Sequence, residues 1–229
     1  NFKNYFYFVF TIKDLQMTLG IGSLAPDFKA ITTEGEIGFH EWLGDSWGLL
    51  FSHPEDYTPV CTTELGMVAQ LEQEFVKRNM KAIALSMDTL DSHMDWKLDI
   101  EAAMNVTVRF PIIADEKGLI AQKYGMIQKG ASDKKTVRSV FIIDPEKYVQ
   151  LHLTYPMSIG RNFDEILRAI DALQLHAHHQ VLTPANWQPS EDVIVDPKMP
   201  QDEVQSRFPD RKVSGVPYLQ YSIDPTGKQ

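Results

Sequence analysis

Only one cysteine, Cys61, occurs in 229 residues. Without a second, the chain closes no internal disulfide and builds no Cys-rich metal site, which favours a reducing compartment with the cytosol as the default expectation. Positive charge is also scarce. Lys and Arg number 22 against 31 Asp and Glu, a net charge of −9, and the basic residues are scattered, which argues against a nucleic-acid or anionic-membrane partner and for small neutral or weakly charged substrates. Long apolar runs are missing too. The opening Tyr5-Phe-Tyr-Phe-Val-Phe-Thr-Ile12 follows Lys3 in the manner of a signal segment, but Lys13-Asp14 ends it far short of a membrane span. No internal repeat or low-complexity tract appears. A hydrophobic content of 43% over this length supports one substantial domain plus an appendage.

What is present alternates. Trp47 to Ser52 reads as a strand, Thr62 to Arg78 as a helix with Leu65, Val68, Leu71 and Phe75 on one face, and Lys81 to Met87 as a strand. Ser92 to Ala102 and Gly118 to Tyr124 read as helices, with Phe110 to Ala114 as a short connecting segment. Val140 to Ile143 and Val149 to Thr154 form a hairpin around Asp144-Pro-Glu-Lys147, and Asn162 to Leu175 is a helix with Phe163, Ile166, Leu167, Ile170 and Leu173 at helical spacing. Strands alternating with helices imply an open α/β layered fold. From Pro184 onward, seven prolines are spread among charges and isolated apolar residues, a texture that cannot build a core alone and is expected to wrap over its own domain or a second copy. Its anchors would be Trp187, Val193, Val195, Phe208 and Tyr218.

Cys61 is the prime functional candidate because of where it falls. It follows an apolar run and sits at the start of a helix, where unpaired N–H groups and the positive end of the macrodipole favour a charged sulfur. In His53-Pro54-x-x-x-Thr58-x-x-Cys61, the threonine hydroxyl can donate to sulfur or to a bound oxygen, prolines shape and shield a small pocket, and His53 could donate as well. Glu64, one turn on, would oppose a thiolate, so a nearby cation is required.

The string Pro54-x-x-x-Thr58-x-x-Cys61 resembles the active-site signature of the peroxiredoxins, and the fuller His-Pro-x-Asp-x-Thr-Pro-Val-Cys-Thr-Thr-Glu is similar to their one-cysteine branch, the peroxiredoxin 6 type. The resemblance runs from about Leu24 to Tyr221 and includes Gly44-Asp-Ser-Trp-Gly48, Val137 to Asp144, and Tyr155 to Glu165. It implies a thioredoxin-like α/β fold, a central mixed sheet flanked by helices, with an extended C-terminal arm. Residues 1–18 would be an N-terminal extension, 19–182 the peroxidase domain and 183–229 a dimerisation arm, giving a homodimer. It also implies that Arg138 stabilises the thiolate of Cys61 and that Arg161 meets Glu64, which supplies the missing cation. Thr58, Arg138 and Pro54 complete the catalytic set around Cys61, with His53, Glu64 and Arg161 in support.

The implied chemistry is attack of the thiolate on hydrogen peroxide or an organic hydroperoxide, leaving a sulfenic acid that an outside thiol, from a glutathione or thioredoxin system, must resolve. No cofactor and no metal is called for. Ionisation alone gains roughly thirtyfold, about 2 kcal/mol, so positioning of the peroxide must supply the rest. Other readings compete. Gly44-Asp-Ser46-Trp-Gly48 matches the Gly-x-Ser-x-Gly elbow of hydrolases, and some peroxiredoxin 6 relatives are credited with phospholipase activity using such a serine, a histidine matched by His40 and an aspartate whose place Glu146 takes here. An elbow needs a strand before and a helix after, whereas Ser46 precedes a strand. A holdase chaperone or a peroxide-signalling relay on the same fold also competes, although holding clients would need no activated thiol. His176-Ala-His178-His179 reads as a solvated helix end rather than a metal site.

Overall fold

Six consecutive residues, Trp47 to Ser52, are buried. A strand covered on both faces needs apolar side chains at odd and even positions alike. Trp47, Leu49 and Phe51 enter one core, and Leu50 enters the other. This strand, β3, organises the molecule, which a computed structural model describes over residues 19–128, 130–131 and 134–227. Before it come β1 (Lys29–Thr32), β2 (Gly35–Gly38) and α1 (Phe39–Leu43). After it come α2 (Pro59–Gln70), α3 (Glu72–Lys77), β4 (Met80–Ser86), α4 (Leu90–Met104), β5 (Ile112–Ala114), α5 (Leu119–Lys123), β6 (Arg138–Ile143), β7 (Val149–Tyr155) and α6 (Phe163–His179). The strands form one mixed sheet in the order β2-β1-β5-β4-β3-β6-β7, with β3 parallel to β4 and antiparallel to β6.

Helices cover both faces. Leu65 and Val68 of α2, Phe75 of α3, Trp96 and Ile100 of α4, and Ile166 and Ile170 of α6 pack on one; Phe39 and Leu43 of α1 and Ile120 of α5 pack on the other. This is the thioredoxin-like layering expected. No helix among the described residues is long and apolar enough to cross a membrane. The proposed extension 1–18 lies outside the described residues.

Several details differ from expectation. The hairpin β1–β2 went unread, because four-residue strands with exposed alternate positions carry little pattern. Phe110 to Ala114 is no mere connector: Ile112–Ala114 is β5, inserted between β1 and β4, and three residues are too few for alternation to show. The long helix starts at Pro59 and is interrupted at Leu71, although Leu71 N–H still donates to Met67 and Phe75 N–H to Leu71.

The C-terminal arm builds a small core after all, by borrowing from α6. Leu175 and Val181 join Trp187, Val193, Val195, Val204 and Phe208. Around this cluster lie β8 (Val181–Leu182), β9 (Val193–Val195), α7 (Gln201–Arg207), β10 (Lys212–Val213) and β11 (Gln220–Ser222), the strands forming a second sheet in the order β10-β11-β9-β8. Tyr218, the remaining expected anchor, is 70% exposed on its own chain.

α2 and α4 touch at Gly66, where an added Cβ would lie 2.5 Å from Cγ and 2.9 Å from Cβ of Met104. Gly66→Ala should therefore cost about 1–3 kcal/mol by overpacking, outweighing the gain in helix propensity. A urea melt of that variant showing unchanged or raised stability would contradict this packing.

Candidate functional site

The dipeptide Thr58-Pro59 decides where the cysteine sits. A residue before proline is driven to extended backbone, and Thr58 has φ −108° and ψ 143°. Proline is well placed at the first helical position, since its missing N–H would have had no partner there. The ladder then begins with Thr62 N–H donating to the Thr58 carbonyl at 3.0 Å. Cys61, two residues after Pro59, is held in the first turn, where N–H groups have no intrahelical acceptor.

The sulfur is buried, with no exposed surface, yet it is within reach of its expected cation. Arg138 opens β6 and directs Nη1 at Cys61 Sγ, 3.2 Å away, and at Glu64 Oε2, 2.7 Å away. Its Nε and Nη2 both donate to the Met157 carbonyl, at 2.9 and 2.6 Å, which locks the guanidinium plane. Arg161 grips the other side of Glu64 through Nε at 2.9 Å, Nη2 at 2.6 Å and its own backbone N–H at 2.8 Å. Its remaining Nη1 donates to the carbonyls of Ser52 and Ser139, at 2.9 and 3.1 Å, tying it to β3 and β6. Burial by itself would raise the Glu64 carboxyl; the charges and hydrogen bonds of Arg161, with the charge of Arg138, outweigh it and hold the group below its ordinary range. Two cations and one anion leave one positive charge beside the sulfur, which a thiolate would neutralise.

Pro54 is buried and Thr58 is half-buried. The Thr58 hydroxyl donates to the Glu55 carbonyl at 3.0 Å rather than to sulfur. It is therefore free to accept a hydrogen bond from a bound hydroperoxide, or to donate after rotating. His53 is fully buried, with Nε2 at 2.8 Å from Asp56 Oδ1 and Nδ1 without a partner. Burial lowers its pKa against the opposing pull of Asp56, so the ring is neutral and its one proton faces the carboxylate. The expectation that His53 donates toward the sulfur is corrected on that ground.

Asp56 appears in the sequence motif without a role assigned, and the structure makes it a hub. Besides His53 it accepts from Ser92 Oγ at 2.7 Å and from His93 Nδ1 at 2.8 Å, both on Oδ2. Burial would raise its carboxyl, but the two histidine hydrogen bonds hold it far below the usual carboxylate range. His53, Asp56 and His93 carry the right atoms to hold a metal ion. Their nitrogen-to-oxygen spacings of 2.8 Å, with Ser92 and the Ile113 carbonyl as further partners, are those of shared protons. The signal that could have found His93 was its spacing: His93, Trp96 and Ile100 make the buried stripe of α4.

The residues of the hydrolase reading are engaged elsewhere. Ser46 donates to Asn79 Oδ1 at 3.0 Å, His40 Nε2 lies 2.9 Å from the Ala25 carbonyl, and Glu146 is exposed; no hydrogen bond joins them among the described residues. Ser46 also precedes β3 directly, in a turn rather than at an elbow. A recess of about 400 Å³ lined by Trp42, Phe75, Met80 and Phe110 includes none of the residues around Cys61.

Residues 21–152 match the model of the AhpC/TSA family, and residues 172–211 match that of the C-terminal domain of 1-Cys peroxiredoxin. Peroxiredoxin-6 of Gallus gallus is 47% identical over 218 residues, covering 90% of this chain and 97% of that protein. The mitochondrial peroxiredoxin PRX1 of Saccharomyces cerevisiae is 50% identical over 200 residues, covering 84% and 77%. Among solved structures, a cysteine-to-serine mutant of the peroxiredoxin 6 of Arenicola marina superposes with a TM-score of 0.85 at 46% identity, covering 90% of this chain and 98% of that one. A yeast mitochondrial 1-Cys peroxiredoxin, solved for its thiol-resolving mechanism via glutathione/thioredoxin systems, does so with a TM-score of 0.85 at 47% identity, covering 90% and 100%. The mitochondrial relative overturns the expectation of a cytosolic location. A lone thiol survives in any reducing compartment, so cysteine count does not single out the cytosol.

The Glu64 carboxylate stabilises the fold fully above the ordinary carboxyl pKa of about 4.3, and that contribution is lost as pH falls. Glu64→Gln, which leaves two buried guanidinium groups without their anion, should cost about 3–5 kcal/mol at pH 7 and flatten the acid side of the stability profile. Denaturant melts of both proteins from pH 3 to pH 7 measure this; parallel profiles would contradict it.

Proposed function

The chain belongs to the AhpC/TSA family, as a one-cysteine peroxiredoxin, and on that premise we propose that Cys61 is the sulfur at which it reduces peroxide. Peroxide reduction by a thiol peroxidase in antioxidant defence is the activity of this family and of this chain. The observation that carries the assignment to Cys61 is the guanidinium nitrogen of Arg138 at 3.2 Å from Sγ, itself held by Glu64.

In this reading the Cys61 thiolate attacks the terminal oxygen of ROOH. An S–O bond forms as the O–O bond breaks, the attacked oxygen keeps its proton as the sulfenic acid, and the leaving alkoxide or hydroxide takes a proton from solvent to depart as alcohol or water. Charge that builds on the two oxygens meets Arg138 and the free N–H groups of the first turn of α2, donors already in place before reaction. Thr58 orients the hydroperoxide by accepting a hydrogen bond from its O–H, and buried Pro54 keeps water from the sulfur. The chain holds no second cysteine, so an outside thiol attacks the sulfenic acid, releases water and forms a mixed disulfide that a second thiol reduces. A glutathione or thioredoxin system fits this step, as the yeast neighbour's resolving mechanism uses those systems.

We also propose that residues 183–229 act as a dimerisation arm in a homodimer. Tyr218, Val213 and Ile223 are 70%, 59% and 73% exposed on it, apolar surface that a second copy of the chain would cover.

Cys61→Ser should abolish peroxide turnover, and Arg138→Met should slow Cys61 oxidation by about two to three orders of magnitude. Rapid-mixing kinetics with hydrogen peroxide read both; single-turnover peroxide consumption by the serine variant would refute the nucleophile. For the arm, sedimentation of a Tyr218→Asp/Ile223→Asp double variant should show weakened self-association, and an unchanged dimer would refute that surface.

A further inference from the structure

Both ring nitrogens of His93 face acceptors: Nδ1 the Asp56 carboxylate at 2.8 Å, and Nε2 the Ile113 carbonyl at 3.1 Å. The ring is thereby held at both edges, to the loop before α2 through Asp56 and to β5 through Ile113. His93 is fully buried and Asp56 almost so. A buried polar pair whose hydrogen bonds are satisfied rigidifies its surroundings and specifies one arrangement of them.

The geometry held is that of the peroxide-binding loop. Asp56 lies two residues before Thr58 and is fixed at every polar atom that can reach: its N–H donates to Asp88 Oδ2 at 3.1 Å, Oδ1 faces His53, and Oδ2 accepts from Ser92 and His93. The next residue, Tyr57, has φ +54°, a conformation costly for a side chain of this size, which persists only where neighbours over-determine it. Beneath the loop, one stripe of α4 supplies the support. Trp96, one turn beyond His93, has its ring 5.2 Å from that of His53 and 6.3 Å from that of Tyr57, and its Nε1 donates to Thr62 Oγ1 at 3.4 Å in the first turn of α2.

We propose that His93, acting through Asp56, is a positioning residue for peroxide reduction: the buried imidazole–carboxylate hydrogen bond pins the loop from His53 to Thr58 against α4 and so sets where Thr58 and the first turn of α2 receive the hydroperoxide. The inference rests on Cys61 being the attacking thiolate. His93 touches neither the sulfur nor the substrate in this scheme. It sets the rate through an ångström-scale placement, an effect worth about a hundredfold in comparable cases.

The test is quenched-flow oxidation of Cys61 by hydrogen peroxide across pH, read by mass spectrometry, in the parent, His93→Leu and His93→Asn. Asparagine keeps a donor near the Nδ1 position and should recover much of the rate that leucine loses. For His93→Leu the rate on the pH plateau should fall about a hundredfold, while the fraction of molecules that react and the pH at which the rate rises stay those of the parent. An unchanged rate would overturn the proposal. So would a fall in reacting fraction at unchanged rate, which marks a merely structural role. Should the leucine variant fail to fold, Ser92→Ala, which removes one donor to Asp56 and leaves the His93–Asp56 hydrogen bond, should show the same pattern in smaller measure; a parent-like rate there overturns the proposal equally. A parent that is itself not oxidised at Cys61 would instead sink the assignment of the nucleophile.

Discussion

Glu64 between two arginines is the constraint on which the site depends. Neither guanidinium would remain buried without the carboxylate, and without the arginines the carboxylate would repel any charge on the sulfur one turn away. Together they hold one net positive charge in a dry place, with every guanidinium nitrogen of Arg161 engaged and Arg138 free to aim a single N–H at Cys61. The arrangement couples stability to chemistry. The same ion cluster that ties α2 to β3, β6 and the segment before α6 defines where negative charge is welcome.

A buried sulfur raises the question of how its surroundings are kept in place rather than how it is exposed. Two supports converge on it from opposite directions. From the sheet side come Arg138 and Arg161, anchored on carbonyls of Met157, Ser52 and Ser139. From the helical side comes α4, whose buried stripe of His93, Trp96 and Ile100 meets the loop before α2 and whose close approach at Gly66 leaves no room for a side chain. A strained residue, Tyr57, sits in the loop that α4 supports. Strain stored there is consistent with a loop whose shape is dictated by tertiary contacts, not by its own preferences.

Much of this was legible beforehand, and unevenly. Buried strands such as β3 and β6 and the strongly amphipathic α6 announce themselves through apolar runs and helical spacing, and they appear where the pattern puts them. Short elements do not: β1, β2 and β5 are three or four residues long, and their existence depends on neighbours distant in sequence. The arm shows the same limit from the other side. Its isolated apolar residues look too few for a core because the missing members, Leu175 and Val181, belong to the segment before it. For Tyr218 the type of residue suggested an anchor, but only position decides what it packs on, and in its own chain it faces outward.

By itself the amino-acid order determined the local device: Thr58-Pro59 starts a helix, and the start of that helix puts Cys61 in a turn with unpaired N–H groups. Such effects act within a few residues and survive any global arrangement. The tertiary structure decided what surrounds the sulfur. Arg138 lies 77 residues from Cys61, Arg161 lies 97 from Glu64, and His93 lies 37 from Asp56. Charges so far apart along the chain meet only because the strand register of β6 against β3 and the packing of α4 on α2 bring them within hydrogen-bond distance, and no local pattern encodes a register.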